Sequence, residues 1–175
     1  MIDLDGRGGF RFTSPQEGVS FDLDGNGATN RTAWTEPGQG QAFLAMDRNQ
    51  NGTIDDGTEL FGAVTPQPPA SDPNGFRALA VFDEPGFGGN ADGKINADDA
   101  VFDLLYLWKD ENHDGVSQPE ELSLLREAGV EYVSLDYVTS SRRDRHGNLL
   151  RFKTLVKKTD RMVQAVDVFF AQVEP

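Results

Sequence analysis

The residues of this chain best suited to chemistry are side-chain oxygens set two apart and followed by glycine. Asp22, Asp24, Asn26 and Gly27 make one such run, Asp47, Asn49, Asn51 and Gly52 a second, and Asp110, Asn112, Asp114 and Gly115 a third, while a stretched form ends in Asn90, Asp92 and Gly93. Alternating oxygens on a tight loop can converge on one point, and hard divalent cations such as calcium take roughly six to eight oxygen ligands. In a twelve-residue calcium loop the ligands fall at positions 1, 3, 5, 7, 9 and 12, the seventh through its main-chain carbonyl, and glycine at the sixth permits the turn.

Each run can be scored on those positions. The segment DENHDGVSQPEE supplies Asp110, Asn112, Asp114, the Val116 carbonyl and a closing Glu121. DRNQNGTIDDGTE supplies Asp47, Asn49, Asn51, the Thr53 carbonyl and Asp55; Thr58 stands in the closing place, so a one-residue insertion near Gly57 would hand closure to Glu59. GNADGKINADD supplies Asn90, Asp92, the Lys94 carbonyl and Asp99, but opens on Gly88, so Asp83 serves as the first ligand if residues 84–89 bulge outward. FDLDGNGAT supplies Asp22, Asp24 and Asn26 and has Ala33 in the closing place, which makes it a weaker or shared site. In the opening DLDGRGGF, Arg7 occupies the fifth position and would repel a cation. One Asp/Asn-Gly segment is more often a turn than a metal site. Four with glycine in register, two of them with Ile54 and Ile95 at the eighth position, lead to an expectation of two to four bound Ca²⁺ ions.

The elements that must position these loops read as mixed. Short strands are expected at 10–13, 19–22 and 41–46, and a helix at 74–82. The interval between Gly93 and Gly115 leaves room for a single helix at 98–109, where Val101, Leu104, Leu105 and Trp108 recur at helical spacing. A second helix is expected at 118–128, capped by Ser117 in a capping box and stopped by Gly129. Beyond Gly129, VEYVSLDYV alternates as a strand, RHGN makes a turn and LLRFKTLVKK is its partner, with Met162 to Val173 helix or strand. The fold class expected is α+β: short helices and β-hairpins around several EF-hand-like calcium loops, with a loop-helix-loop-helix tandem in the centre. The body is 1–138, and 139–175 a basic β-hairpin extension packed on the same domain.

Composition narrows the function. The chain has 175 residues, 37% of them hydrophobic and including twelve Phe, enough for one folded core. Its net charge is −13, and because residues 139–175 carry eight basic and four acidic side chains, the body carries −17. That disfavours nucleic acid as a partner and favours cations. There is no cysteine, so neither disulfides nor thiolate metal sites are available. No apolar stretch is long enough to span a membrane. The two histidines, His113 and His146, lack zinc-site spacing, and no nucleophile signature is present, so no catalytic residue is assigned.

The succession IDLDG, FDLDGNG, DRNQNGTIDDGTELFG, NGFRALAVFD, NADGKINADDAVF, LWKDENHDGVSQPEEL and GVEYVSLDY resembles the self-processing module of bacterial RTX proteins of the iron-regulated, FrpC-like type. The resemblance implies a monomeric calcium-binding module flanked by other domains of a larger secreted protein. It also implies that the calcium-folded module promotes cleavage of an Asp-Pro bond just upstream, the new aspartyl end then being joined to a lysine. The one Asp-Pro within this chain is Asp72-Pro73. NADGKINADDAVFDLL is also similar to dockerins, which implies protein docking as a further alternative.

Overall fold

The computed structural model describes residues 1–7 and 9–173, and it is mostly β. Eleven strands form among the described residues: β1 (Ile2–Asp3), β2 (Val19–Phe21), β3 (Asn30–Thr32), β4 (Gln41–Ala45), β5 (Lys94–Asn96), β6 (Tyr106–Trp108), β7 (Leu122–Leu124), β8 (Val130–Ser134), β9 (Val138–Arg143), β10 (Leu149–Lys158) and β11 (Met162–Phe169). One nine-stranded antiparallel sheet runs β5-β8-β10-β11-β1-β4-β6-β7, with β9 also paired to β10, and β2 and β3 form a separate ribbon. The long β10 is the hub. Its Val156 pairs with Val133 of β8, its Leu150 with Arg142 of β9, and its other edge carries β11 in register from Phe152↔Asp167 to Lys157↔Met162.

The pattern within each strand explains why it is one. In β10, Leu150, Phe152, Thr154 and Val156 are buried while Arg151, Lys153, Leu155 and Lys157 are not, the alternation of a half-buried strand. All five residues of β4 are buried because its two faces serve two cores. Ala42 and Leu44 face a large aliphatic cluster with Leu79, Ile95, Leu105 and Val133. Phe43 and Ala45 face an aromatic one with Phe21, Trp34, Ile54 and Trp108. In that second core Trp34 and Trp108 meet edge-on with ring centroids 5.6 Å apart.

The expectation of an α+β fold with a loop-helix-loop-helix tandem is overturned. The α-helix α1 (Gly75–Ala80), inside the expected 74–82, is the one α-helix among the described residues. It is capped by Asn74, whose side chain accepts from the amides of Phe76 and Arg77. Residues 98–109 form only a 3-10 turn, Phe102–Leu104, before β6. The helical reading there counted Leu104, which is 59% exposed. The residues that matter are Leu105 and Leu107, in the aliphatic core, and Trp108, in the aromatic one. Moreover, the open edge of β4 takes β6 as its partner, Phe43 opposite Trp108, so tertiary pairing overrides local spacing.

Residues 118–128 likewise give a 3-10 turn, Pro119–Glu121, and then β7 on the edge of β6. Ser117 does not cap it, because its hydroxyl is bonded to Ile54 instead. Glu121 reaches back to the Gln118 amide in place of the expected Glu120. A loop entered from β6 and left by a single 3-10 turn into β7 is not an EF-hand, in which helices flank the loop, and the dockerin likeness loses the helices expected at 98–109 and 118–128 for the same reason. The region 162–173 resolves as strand β11, and 10–13 contributes only the isolated bridge Phe12↔Thr35. Among the described residues no helix is long and apolar enough to cross a membrane.

Candidate functional site

Four acidic loops share one backbone trace. The fourth residue of each is left-handed: Gly25 at φ 66°, Gln50 at 59°, Ala91 at 58° and His113 at 59°. The sixth is a left-handed glycine: Gly27 at 86°, Gly52 at 86°, Gly93 at 81° and Gly115 at 75°. Residues other than glycine, Asn, Asp and His rarely hold a positive φ, so Gln50 and Ala91, in register with His113, mark a conformation imposed by the loop as a whole.

The first carboxylate of each loop imposes it. Asp22 accepts the amides of Asn26 and Gly27 at 3.0 and 2.7 Å. Asp47 accepts those of Asn51 and Gly52 at 3.2 and 2.9 Å, and Asp110 those of Asp114 and Gly115 at 3.3 and 2.9 Å. In the stretched loop this part is taken by Asp83, bonded to the amides of Asp92 and Gly93 at 3.1 and 2.9 Å. A 3-10 turn at Pro85–Phe87 loops out between them, and Ala91 N–H donates to the Asp83 carbonyl at 2.7 Å.

Three loops also have a closing carboxylate that ties the start of the loop to its ninth residue. Glu121 accepts from the amides of Glu111 and Gln118, Glu59 from those of Arg48 and Asp55, and Asp99 from those of Asn90 and Asn96. Thus Glu59, not Thr58, holds the closing place. The loop at Asp22 has none of its own; its neighbour is the second loop, where Gly57 N–H donates to the Asp22 carbonyl. A Cβ at Gly57 would sit 1.9 Å from the Leu23 carbonyl oxygen, so glycine is required there.

Between these anchors, Asp24, Asn26, Asn49, Asn51, Asn90, Asp92, Asn112 and Asp114 stand exposed. The Asn112 amide donates to Asp114 at 2.9 Å and that of Asn51 to Asp55 at 2.6 Å. Thr53, Lys94 and Val116 each turn an amide toward the fifth-position side chain. Among the described residues no three His, Cys, Asp or Glu side chains form a metal-holding cluster by themselves, so a cation at these loops would draw on Asn oxygens and main-chain carbonyls as well. That mixture of hard oxygens is the donor chemistry of Ca²⁺.

Six of the anchoring carboxylates are buried: Asp22, Glu59, Asp83, Asp99, Asp110 and Glu121. None of them is within ion-pair distance of a Lys or Arg among the described residues, where the pairs involve Asp5, Glu36, Asp72, Asp103, Glu111 and Asp160. Burial pushes the Glu59 carboxyl up, and Asp55 adds to that, against the pull of the amides bonded to it.

Sequence reasoning left out several partners. The indole N–H of Trp34 donates to Asp110 at 2.7 Å and that of Trp108 to Glu121 at 3.3 Å, so both buried tryptophans rest on one loop. Ser117, at the eighth position of its loop, bonds the amide and carbonyl of Ile54 at the eighth position of another. The register was visible in the sequence; that a serine would join it was not. Arg48 lies over the rings of Phe61 and Phe82 and donates to the Thr58 carbonyl, bracing the second loop. The cluster Arg142, Arg143 and Arg145 lies at the β9–β10 hairpin tip, where Arg145 meets Glu36 at 3.2 Å.

An antiparallel β domain threaded by four glycine-turn acidic loops is thus the class of protein in hand. The chain belongs to the SPM domain family, whose model matches residues 1–171. It is 37% identical over 167 residues to the iron-regulated protein FrpA of Neisseria meningitidis serogroup C, across 91% of this chain and 14% of that relative. The chain therefore spans a small part of the curated relative it matches.

Proposed function

We propose that this chain is a calcium-binding self-processing module, acting as a monomeric segment of a larger secreted bacterial protein. The observation that carries the reading is the set of six buried carboxylates, none within ion-pair distance of a Lys or Arg among the described residues, each bound to loop amides. An uncompensated buried carboxylate costs several kcal/mol, and a divalent ion among the exposed oxygens relieves it. The ion set comprises Asp110, Asn112, Asp114, Val116 and Glu121; Asp47, Asn49, Asn51, Thr53, Asp55 and Glu59; Asp83, Asn90, Asp92, Lys94 and Asp99; and, more weakly, Asp22, Asp24 and Asn26. Bound calcium supplies charge neutralisation and loop order; extracellular calcium modules bind at roughly 0.1–1 mM.

Membership of the family supports the processing reading over a purely structural one. In it, the ordered domain holds an Asp-Pro bond so that the aspartate attacks its own carbonyl, a reaction favoured by fixed geometry. The test is to place an Asp-Pro-containing segment ahead of Met1 and incubate the protein with millimolar CaCl₂ or with chelator. Two fragments with calcium and one intact chain without it are expected; an intact chain in both conditions defeats the processing reading.

A further inference from the structure

The strand β1 has two residues, yet it lies between a five-residue strand and an eight-residue one. Its Ile2 pairs with Ala42 of β4 and with Ala165 of β11. Just ahead of it, Met1 and Val166 exchange both main-chain bonds, at 2.7 and 2.8 Å. Past Met1 the two neighbours run on. Phe43 and Leu44 keep β6 on their far edge, and Asp167 to Phe169 keep β10 on theirs. Between them lies a cavity of about 270 Å³. Leu44, Phe61 and Phe169 wall it from the aliphatic side of the sheet, and Phe43, Leu60 and Phe170 from the aromatic side. A pocket resting on a sheet draws on one face; walls from both faces put this one in the plane of the sheet, in line with β1. On the β4 side the slot closes at Leu44, whose carbonyl accepts from Phe61 N–H at 3.1 Å. On the β11 side it continues past Asp167.

We propose that, in a longer protein, the residues immediately ahead of Met1 enter this slot as a continuation of β1 along β11, the second of them with an apolar side chain. This rests on the reading of the chain as a segment of a larger protein and on neither calcium binding nor bond cleavage. Antiparallel pairing sets the register: the first added residue falls opposite Asp167 and the second opposite Val168, whose amide and carbonyl point to the same edge as those of Val166. Side chains alternate between faces. Ile2 lies in the aliphatic core and Met1 packs against the aromatic one, so the first added side chain lies beside the buried Asp167 and the second among Phe43, Leu60 and Phe170. A strand added to a sheet edge gains main-chain bonds from the ladder and selectivity from alternate side-chain pockets. The Met1 amino group already stands where a strand places a peptide N–H, and burial lowers its pKa to about 6, opposed by the nearby Asp167. A peptide N–H makes the same bond to Val166 with no charge to desolvate.

The experiment compares, by NMR, the chain as it stands with one extended by Gly-Ser-Val-Thr ahead of Met1 and one extended by Gly-Ser-Asp-Thr. With the valine extension, an α-proton contact between the added Thr and Asp167 is expected, because these two form a close pair on facing strands. Exchange of the Val168 amide is expected to slow about tenfold or more. The aspartate extension is expected to lose both effects, since it would bury a charge among aromatic rings. No such contact and unchanged Val168 exchange in the valine extension overturn the inference, as does equal protection by both extensions. A concentration-dependent dimer of the unextended chain in which Val168 is already protected assigns the slot to a second copy and also overturns it. Each of these results leaves calcium binding and self-processing to their own tests.

Discussion

The loop at Asp110 and the loop at Asp22 follow the same backbone trace, yet they are built into the molecule very differently. Asp110 is 4% exposed, accepts from Trp34 as well as from two loop amides, and faces a closing Glu121 that holds Trp108. Asp22 has the two amides, no closing carboxylate within its loop, and leans on the second loop through Gly57. A turn can therefore be set by one aspartate and six residues, whereas a charged centre coupled to the core needs a second carboxylate and buried donors. The first is a local matter and the second a tertiary one.

The largest effect is expected from Asp110→Ala, which leaves the Trp34 indole and the Gly115 amide without an acceptor, while the Asp114 amide keeps the Asn112 side chain. Unsatisfied buried groups cost about 1–3 kcal/mol each, so a loss of roughly 3 kcal/mol in denaturant unfolding is expected, with a change in tryptophan emission. A loss no greater than that of Asp22→Ala would erase the contrast between the loops.

Next comes Glu59→Gln, which keeps an acceptor and removes charge; calcium affinity at the second loop is expected to fall about tenfold or more. A related expectation concerns pH. On the proposed calcium reading, the second loop binds its ion through the Glu59 carboxylate, and the upward shift of that group means that protons compete at higher pH than for an ordinary glutamate. Calcium titrations at descending pH are expected to lose this site first in wild type, but not in Glu59→Gln.

Asp167 offers a smaller effect away from the loops. Burial pushes its carboxyl up, opposed by the Gly75 amide and the amino terminus. A carboxyl raised on folding gives its stabilisation at low pH and loses it as pH climbs through the folded value. Asp167→Asn retains an acceptor for Gly75 and is expected to flatten stability between mildly acidic and neutral pH by on the order of 1 kcal/mol, read by urea melts. The smallest effect is expected from Asp22→Asn, about 1 kcal/mol or less; a larger loss would mean that this loop is as deeply coupled as its counterpart.

What the sequence carried was whatever a few neighbouring residues decide. The glycine register, the place of Asp83 ahead of an outward turn, the insertion that brings Glu59 into line and a short helix within 74–82 were all readable from spacing and side-chain type; that Asn74 caps that helix was not. The two tandem helices were misread because 98–109 and 118–128 have apolar residues that satisfy a period near four as well as a period of two. The choice between them was made by the unpaired edge of β4, a partner more than 60 residues away at Trp108. The indole donors to Asp110 and Glu121 were invisible for a similar reason: they depend on how two cores share one strand.

The most direct measurement is the number of calcium ions per chain after equilibrium dialysis of chelator-treated protein against millimolar free Ca²⁺. Two or more ions are expected, with one lost in Glu121→Gln. Less than one ion per chain would contradict the account.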